Sequence, residues 1–175
     1  MDANEVEKLI DAFGTDVYRF CVKLARNKFD SDDLYQLTFM RLLNGKVKIN
    51  WDNNPKALLF SVAYHVFKDQ QRKLARRHRI APSFTIDEQM ESFTAGEQDI
   101  EADLISQELQ QLLNEIIEGL PENFRMIVVL YYQFDVAIAE IAKIVKIPGG
   151  TVKSRLAKAR ALIKKELEAN GYGKT

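Results

Sequence analysis

Residues 135–167 read DVAIAEIAKIVKIPGGTVKSRLAKARALIKKEL, and this stretch decides how the rest of the chain is read. Asp135 offers a capping oxygen for a first helix that carries Ile138, Ile141, Ala142 and Val145 on one side. The run Lys146-Ile147-Pro148-Gly149-Gly150 stops that helix, and Pro148 suits the first position of the next, where a missing N–H costs nothing. Small residues at Ala139 and Ala142 allow the second helix to cross closely, as a helix-turn-helix requires. On the second helix a step of about 100° per residue brings Leu156, Ala159 and Ile163 within about 40° of Val152, forming an apolar stripe. The opposite side shows Ser154, Ala157 and Ala161, flanked by Thr151, Lys153, Lys158 and Lys165. From Lys143 to Lys165 there are eight basic residues and no acidic one. A basic face with small residues at its centre fits the DNA major groove, with lysines reaching phosphates and base edges. The weaker alternative is a basic surface helix on an unrelated helical domain.

Upstream, nearly every periodic segment also reads as helix. Val17, Phe20, Cys21 and Leu24 recur on one helical face, as do Leu34, Leu37, Arg41 and Leu42 with polar interruptions. Asp30-Ser31-Asp32 offers capping oxygens for a helix entered at Asp33. A break is expected at Asn44-Gly45, and Asn50-Trp51-Asp52-Asn53-Asn54-Pro55 reads as a loop from which a new helix starts. That helix carries Leu58, Leu59, Val62, Ala63, Val66 and Phe67 inward and runs out into a basic tail, Arg72 to Arg79. Residues 81–102 are Ser/Thr-rich and acidic with little periodicity, which predicts a linker, and a second helical unit begins near Asp103. The expected fold is all-α: two small helical domains joined by an acidic flexible linker, the C-terminal one a helix-turn-helix.

The formal net charge of zero hides an asymmetry. Residues 1–80 carry 15 Lys+Arg against 10 Asp+Glu, residues 81–120 carry none against 10, and residues 121–175 carry 10 against 5. Two basic blocks thus flank an acidic stretch, a pattern that suits polyanion-binding ends and a repelling connector but also fits ordinary solvated surfaces. No apolar run approaches the roughly 20 residues of a membrane span, and the polar start Met1-Asp2-Ala3-Asn4-Glu5 shows no secretory signal. The single cysteine, Cys21, admits a catalytic thiol or core packing, and its apolar setting favours packing and a reducing cytoplasm. One Cys and two His give no metal-ligand spacing, and no Gly-rich phosphate loop or nucleophile–base pair is visible. Neither catalysis nor a metal or cofactor is expected.

Three runs then resemble a known family. Leu120-Pro121-Glu122-Asn123-Phe124-Arg125, Ala139-Glu140-Ile141-Ala142 and Ile147 through Arg160 are similar to the DNA-binding C-terminal domain of sigma-70 family factors. The short, two-domain form resembles the extracytoplasmic-function (ECF) group. Asp32-Asp33-Leu34-Tyr35-Gln36-Leu37-Thr38-Phe39 resembles the helix that docks on RNA polymerase, and Pro55 through Arg72, with Phe60, Ala63, Asp69 and Arg72 in place, the segment that engages the −10 element. The chain departs from the family pattern in having Leu37 for a common acidic residue, Leu58 for a frequent tryptophan and Tyr64-His65 for a frequent Arg-Asn pair.

The resemblance implies a dissociable polymerase subunit that recognises −10 and −35 promoter elements and aids melting. The alternative is a helix-turn-helix regulator that acts without polymerase. Implied for residues 5–80 is a domain 2 that holds the clamp helices of the β′ subunit through Asp33, Gln36 and Leu37. The −10 element would meet Trp51, Asn53, Asn54, His65, Lys68, Arg72, Arg76 and Arg77. For Trp51 a core anchor is the slightly favoured alternative, whereas His65 reads equally as a plain helix-surface residue. Residues 103–174 would form a domain 4 that reads the −35 element through Thr151, Lys153, Ser154, Ala157 and Lys158. An anti-sigma factor is a further implied partner, and the cytoplasm of a bacterium the implied location.

Overall fold

A computed structural model describes residues 3–45, 50–80 and 104–173, with side chains in the last segment from residue 107 on. The chain divides into two compact units, Met1–Ala95 and Gly96–Thr175. The expected linker, residues 81–102, lies outside the described residues.

In the first unit, helices α1 (Ala3–Ala25), α2 (Lys28–Asn44) and α3 (Pro55–Ile80) each pack against the other two. The α1 face predicted from spacing is fully buried: Val17, Phe20, Cys21 and Leu24, joined by Val6 and Leu9. Arg26, at φ 66°, ends α1. Asn27 starts α2, its side-chain oxygen accepting the Asp30 N–H at 2.8 Å. The helix therefore begins at Lys28, five residues before Asp33, and Asp30-Ser31-Asp32 lies inside it rather than capping it. The amide of Asn27 takes the orphan N–H one turn earlier than expected. Gly45 closes α2 with its N–H on the Leu42 carbonyl at 3.3 Å.

The loop before α3 ends at Asn54, held at φ 45°, whose side chain accepts the Ala57 N–H at 3.1 Å. Pro55 then occupies the first helical position, as its fixed φ and missing donor favour. Of the residues expected inward on α3, Leu59, Ala63 and Val66 are buried and Leu58, Val62 and Phe67 half-buried. The inner ring missing from that expectation is Phe60, wholly buried against Phe20 with centroids 4.7 Å apart. From Gln71 to Ile80 the helix is exposed on every side.

The second unit holds α4 (Leu104–Gly119), α5 (Glu122–Val128), a π-helical turn (Val129–Gln133), α6 (Ile138–Val145) and α7 (Gly149–Ala169). Helix α7 packs on α4, α5 and α6. Arg125 is 3% exposed, and its guanidinium meets the Glu118 carboxylate at 3.0 Å, which compensates a charge inside the core. The π turn, closed by the Val136 N–H on the Leu130 carbonyl at 2.9 Å, had no signal in the residue spacing.

Cys21 bears out the packing reading. Burial pushes its thiol up to about 12, against a weaker lowering by the Thr38 hydroxyl. A free cysteine, with pKa of about 8.5, holds on the order of a thousandfold more thiolate at neutral pH. A disulfide thiol reagent should therefore label the native chain orders of magnitude more slowly than the denatured chain. Equal rates in the two states would show that Cys21 is accessible.

Candidate nucleic-acid and polymerase interfaces

In the second unit the face proposed for DNA is built by a helix-turn-helix. Helix α6 buries Ile141 and Ile144, with Ile138, Ala142 and Val145 half-buried. Asp135 does not cap it. At φ 51° it turns the chain three residues earlier, and Ala137 stands at the helix start with no side-chain cap. Lys146 stops α6 in the left-handed region at φ 55°, its N–H returning to the Ala142 carbonyl. Pro148 then sits one position outside α7, at φ −60° and ψ 147°, and its carbonyl accepts the N–H groups of Thr151 and Val152. The extended ψ of Pro148 is what moves it from the first helical position to the cap. Ala139 is exposed and so takes no part in the helix crossing, where Ala142 lies half-buried.

The predicted stripe on α7 is buried at Val152, Leu156 and Ala159, with Ile163 half-buried. This burial turns the opposite side to solvent. Lys153, Ser154, Ala157 and Lys158 are exposed there, and Thr151 is half-buried. The Ser154 hydroxyl donates to the Thr151 carbonyl at 3.1 Å, which leaves its lone pairs outward. Ala157, with no side chain beyond Cβ, makes the middle of this face low enough for close approach.

In the first unit Asp33 and Gln36 are exposed one turn apart on α2, whereas Leu37 is half-buried beside them. The Asp33 carboxylate accepts a hydrogen bond from the Gln70 amide of α3 at 3.1 Å. Sequence reading had no means to find Gln70, because the pair spans 37 positions. Asp69 next to it meets Arg41 of α2 at 3.8 Å and Arg72 of α3 at 3.3 Å.

The residues expected at the −10 element fall into three groups. Trp51 is 46% exposed and stacks on Phe13 of α1 with centroids 6.4 Å apart, which overturns the core-anchor reading. A core anchor would be enclosed, whereas the loop sets this ring on the outside of α1 with one side open. Asn53 and Asn54 are exposed in the same loop, but Asn54 spends its side-chain oxygen capping α3. His65 and Lys68 are half-buried around Tyr64, His65 meeting its ring edge-on at 5.7 Å and the Lys68 ammonium lying 6.0 Å from its centroid. Arg72, Arg76 and Arg77 stand on the exposed tail of α3.

Among the described residues no helix is long and apolar enough to cross a membrane, and no group of three or more His, Cys, Asp or Glu could hold a metal ion.

Residues 9–77 match the family described as Sigma-70 region 2, and residues 110–163 match Sigma-70 region 4. The chain is similar to the ECF RNA polymerase sigma factor SigW of Bacillus subtilis, 25% identical over 175 residues that cover 95% of this chain and 90% of that protein. It is 28% identical to the ECF RNA polymerase sigma factor SigM of the same organism over 161 residues, 91% of this chain and 93% of that one. Its fold is similar to that of the sigma factor RpoE solved in complex with the anti-sigma factor NepR from Bartonella quintana. The TM-score is 0.71 at 22% identity, covering 95% of this chain and 98% of that one. Two regions matched in the same order, on the two units that the structure separates, make the chain a member of the sigma-70 family of RNA polymerase sigma factors, in its ECF group, and thus a promoter-directing initiation factor.

Proposed function

We propose that the work of promoter recognition is divided among three surfaces: α2 for polymerase, the Trp51 loop with α3 for the −10 element, and α7 for the −35 element. The domains are then residues 5–80 and 103–174, with residues 81–102 as linker. The observation that carries this reading is the face of α7, where Lys153, Ser154, Ala157 and Lys158 stand exposed behind a buried Val152–Leu156–Ala159 stripe. Such a face enters a major groove small-residue first, and its lysines follow the groove walls.

On α2, Asp33 and Gln36 offer an acid and an amide to the clamp helices of the polymerase β′ subunit. At the −10 element, Trp51 offers its open side to an unstacked base, with Phe13 behind it, and base–aromatic stacking offsets part of the unstacking cost. His65 and Lys68 border the same strand, and Arg72, Arg76 and Arg77 hold phosphates. An anti-sigma factor is a further partner. The RpoE structure is a complex with NepR, and that of CnrH (18% identical, TM-score 0.62, covering 96% of this chain and 90% of that one) is with the cytosolic domain of CnrY. The cytoplasm is the compartment that suits such partners.

Binding of polymerase holoenzyme to a panel of −35 variants at two salt concentrations tests the α7 assignment. Lys158→Ala should cost about 1–3 kcal/mol at one preferred base and relax discrimination there. Lys165→Ala should weaken binding alike on every sequence and lower the salt slope by roughly one. A uniform loss for Lys158→Ala would make Lys158 a backbone contact and remove it from base readout.

A further inference from the structure

Arg160 lies on α7 outside the five residues assigned to the −35 element, and it is exposed but tethered. Its Nε–H donates to the Tyr132 hydroxyl, and its guanidinium carbon lies 5.7 Å from the centroid of the Tyr132 ring. Tyr132 is itself braced by the half-buried Tyr131, whose ring meets it edge-on at 4.9 Å and 85°. Both tyrosines belong to the π-helical turn Val129–Gln133. A π turn inserts a residue into the helical register and so re-aims the side chains it carries, which is why such turns recur at functional sites. Fixing a long exposed side chain costs rotamer entropy, and surface contacts of this type return little stability. The arrangement gains most when the immobilised cation is aimed at a ligand, because the ordering cost is then met before binding.

Helical spacing says where the cation points. Lys153, Ala157, Arg160 and Lys164 follow one another in steps of four, three and four, and Ser154, Lys158, Ala161 and Lys165 form a parallel row with the same steps. All eight are exposed. Two rows carrying cations, with Ala157 and Ala161 low between them, match a groove walled by two phosphate strands. With Nε committed to Tyr132, the two terminal nitrogens of Arg160 remain for phosphate oxygens, a planar pair that lysine cannot present.

We propose that Arg160 is a phosphate-binding residue of α7 and that Tyr132 is its positioning residue, holding the guanidinium toward one backbone strand of the duplex. The proposal rests on the reading of α7 as the DNA-facing helix. The full chain is titrated with a labelled mixed-sequence DNA duplex over a series of salt concentrations. Arg160→Ala should weaken binding several-fold on any sequence and lower the slope of log affinity against log salt by about one. Tyr132→Ala keeps the charge but frees it, so affinity should fall part of the way, and Tyr132→Phe, which keeps the ring and loses the hydrogen-bond acceptor, should fall less. In the Arg160→Ala background, Tyr132→Ala should have no further effect. Additive losses would overturn the positioning role of Tyr132, and a wild-type slope for Arg160→Ala would overturn the phosphate contact. Lys165→Ala separates the two levels of the argument. If it weakens binding while Arg160→Ala does not, this proposal alone fails; if neither variant changes binding, the reading of α7 fails with it. Tyr132 is half exposed, and helical content checks that each variant is folded.

Discussion

Truncating Phe60 to alanine is expected to cost about 3–5 kcal/mol, the range for deleting a buried phenyl ring. Phe60 has no exposed surface and packs on Phe20 at 4.7 Å, at the point where α3 meets α1. Two further rings, Tyr35 and Phe39, pack edge-on at 4.9 Å along α2, which closes the third side of the unit. A three-helix unit of this size has little stability to spare, since a whole domain holds roughly 5–15 kcal/mol. The midpoint of thermal unfolding for this unit should drop by more than about 10 °C, at roughly 4 °C or more per kcal/mol. Helical signal from the second unit should persist at temperatures where the first has melted. A loss below about 1 kcal/mol in the Phe60→Ala chain would show that the surrounding side chains collapse into the space, against the tight packing described.

The second large effect is expected at the polymerase face. Replacing Asp33 and Gln36 together with alanine should abolish co-purification with core polymerase while helical content and melting stay close to those of the unaltered chain. Both side chains are exposed, so their removal opens no cavity in the unit. The only described cost is the Gln70 hydrogen bond to Asp33, an exposed contact of little stability value. Interface residues of this kind act through a few charged or hydrogen-bonded contacts whose loss leaves the partner's groups unpaired. Wild-type affinity of the double variant for core polymerase would remove this face from the docking surface.

Local pattern carried the helix-turn-helix, because its information is local. The buried stripe Val152, Leu156, Ala159 on α7 obeys a period set by backbone geometry, and the short turn Lys146-Ile147-Pro148 separates it from α6. The α1 face, the break at Gly45 and the start of α3 at Pro55 were legible for the same reason. Capping was not legible. The side-chain caps expected at two helix starts both fail, since Asn27 caps α2 where Asp30 to Asp32 were expected, and Asp135 turns the chain instead of capping α6. At α2 several candidates, Asn27, Asp30, Ser31 and Asp32, stand within about a turn of one another, and the chain arriving from α1 places Asn27 at the cap.

Tertiary structure decided what depends on pairs distant in sequence. Phe60 lies on the helix face that meets Phe20, forty positions away, and no window along α3 contains that partner. Trp51 carries the composition of a core residue, yet the loop lays it on the surface against Phe13. Gln70 reaches Asp33, and Tyr132 reaches Arg160, across 37 and 28 positions. The sequence by itself determined that the chain is helical, that its C-terminal part is a helix-turn-helix and that α7 has a basic open face, since propensity, periodicity and charge are properties of short segments. Which polar side chains are aimed, and by what, was decided only when the helices packed, because the side chains that hold Asp33 and Arg160 sit on other elements and become their neighbours through the fold alone.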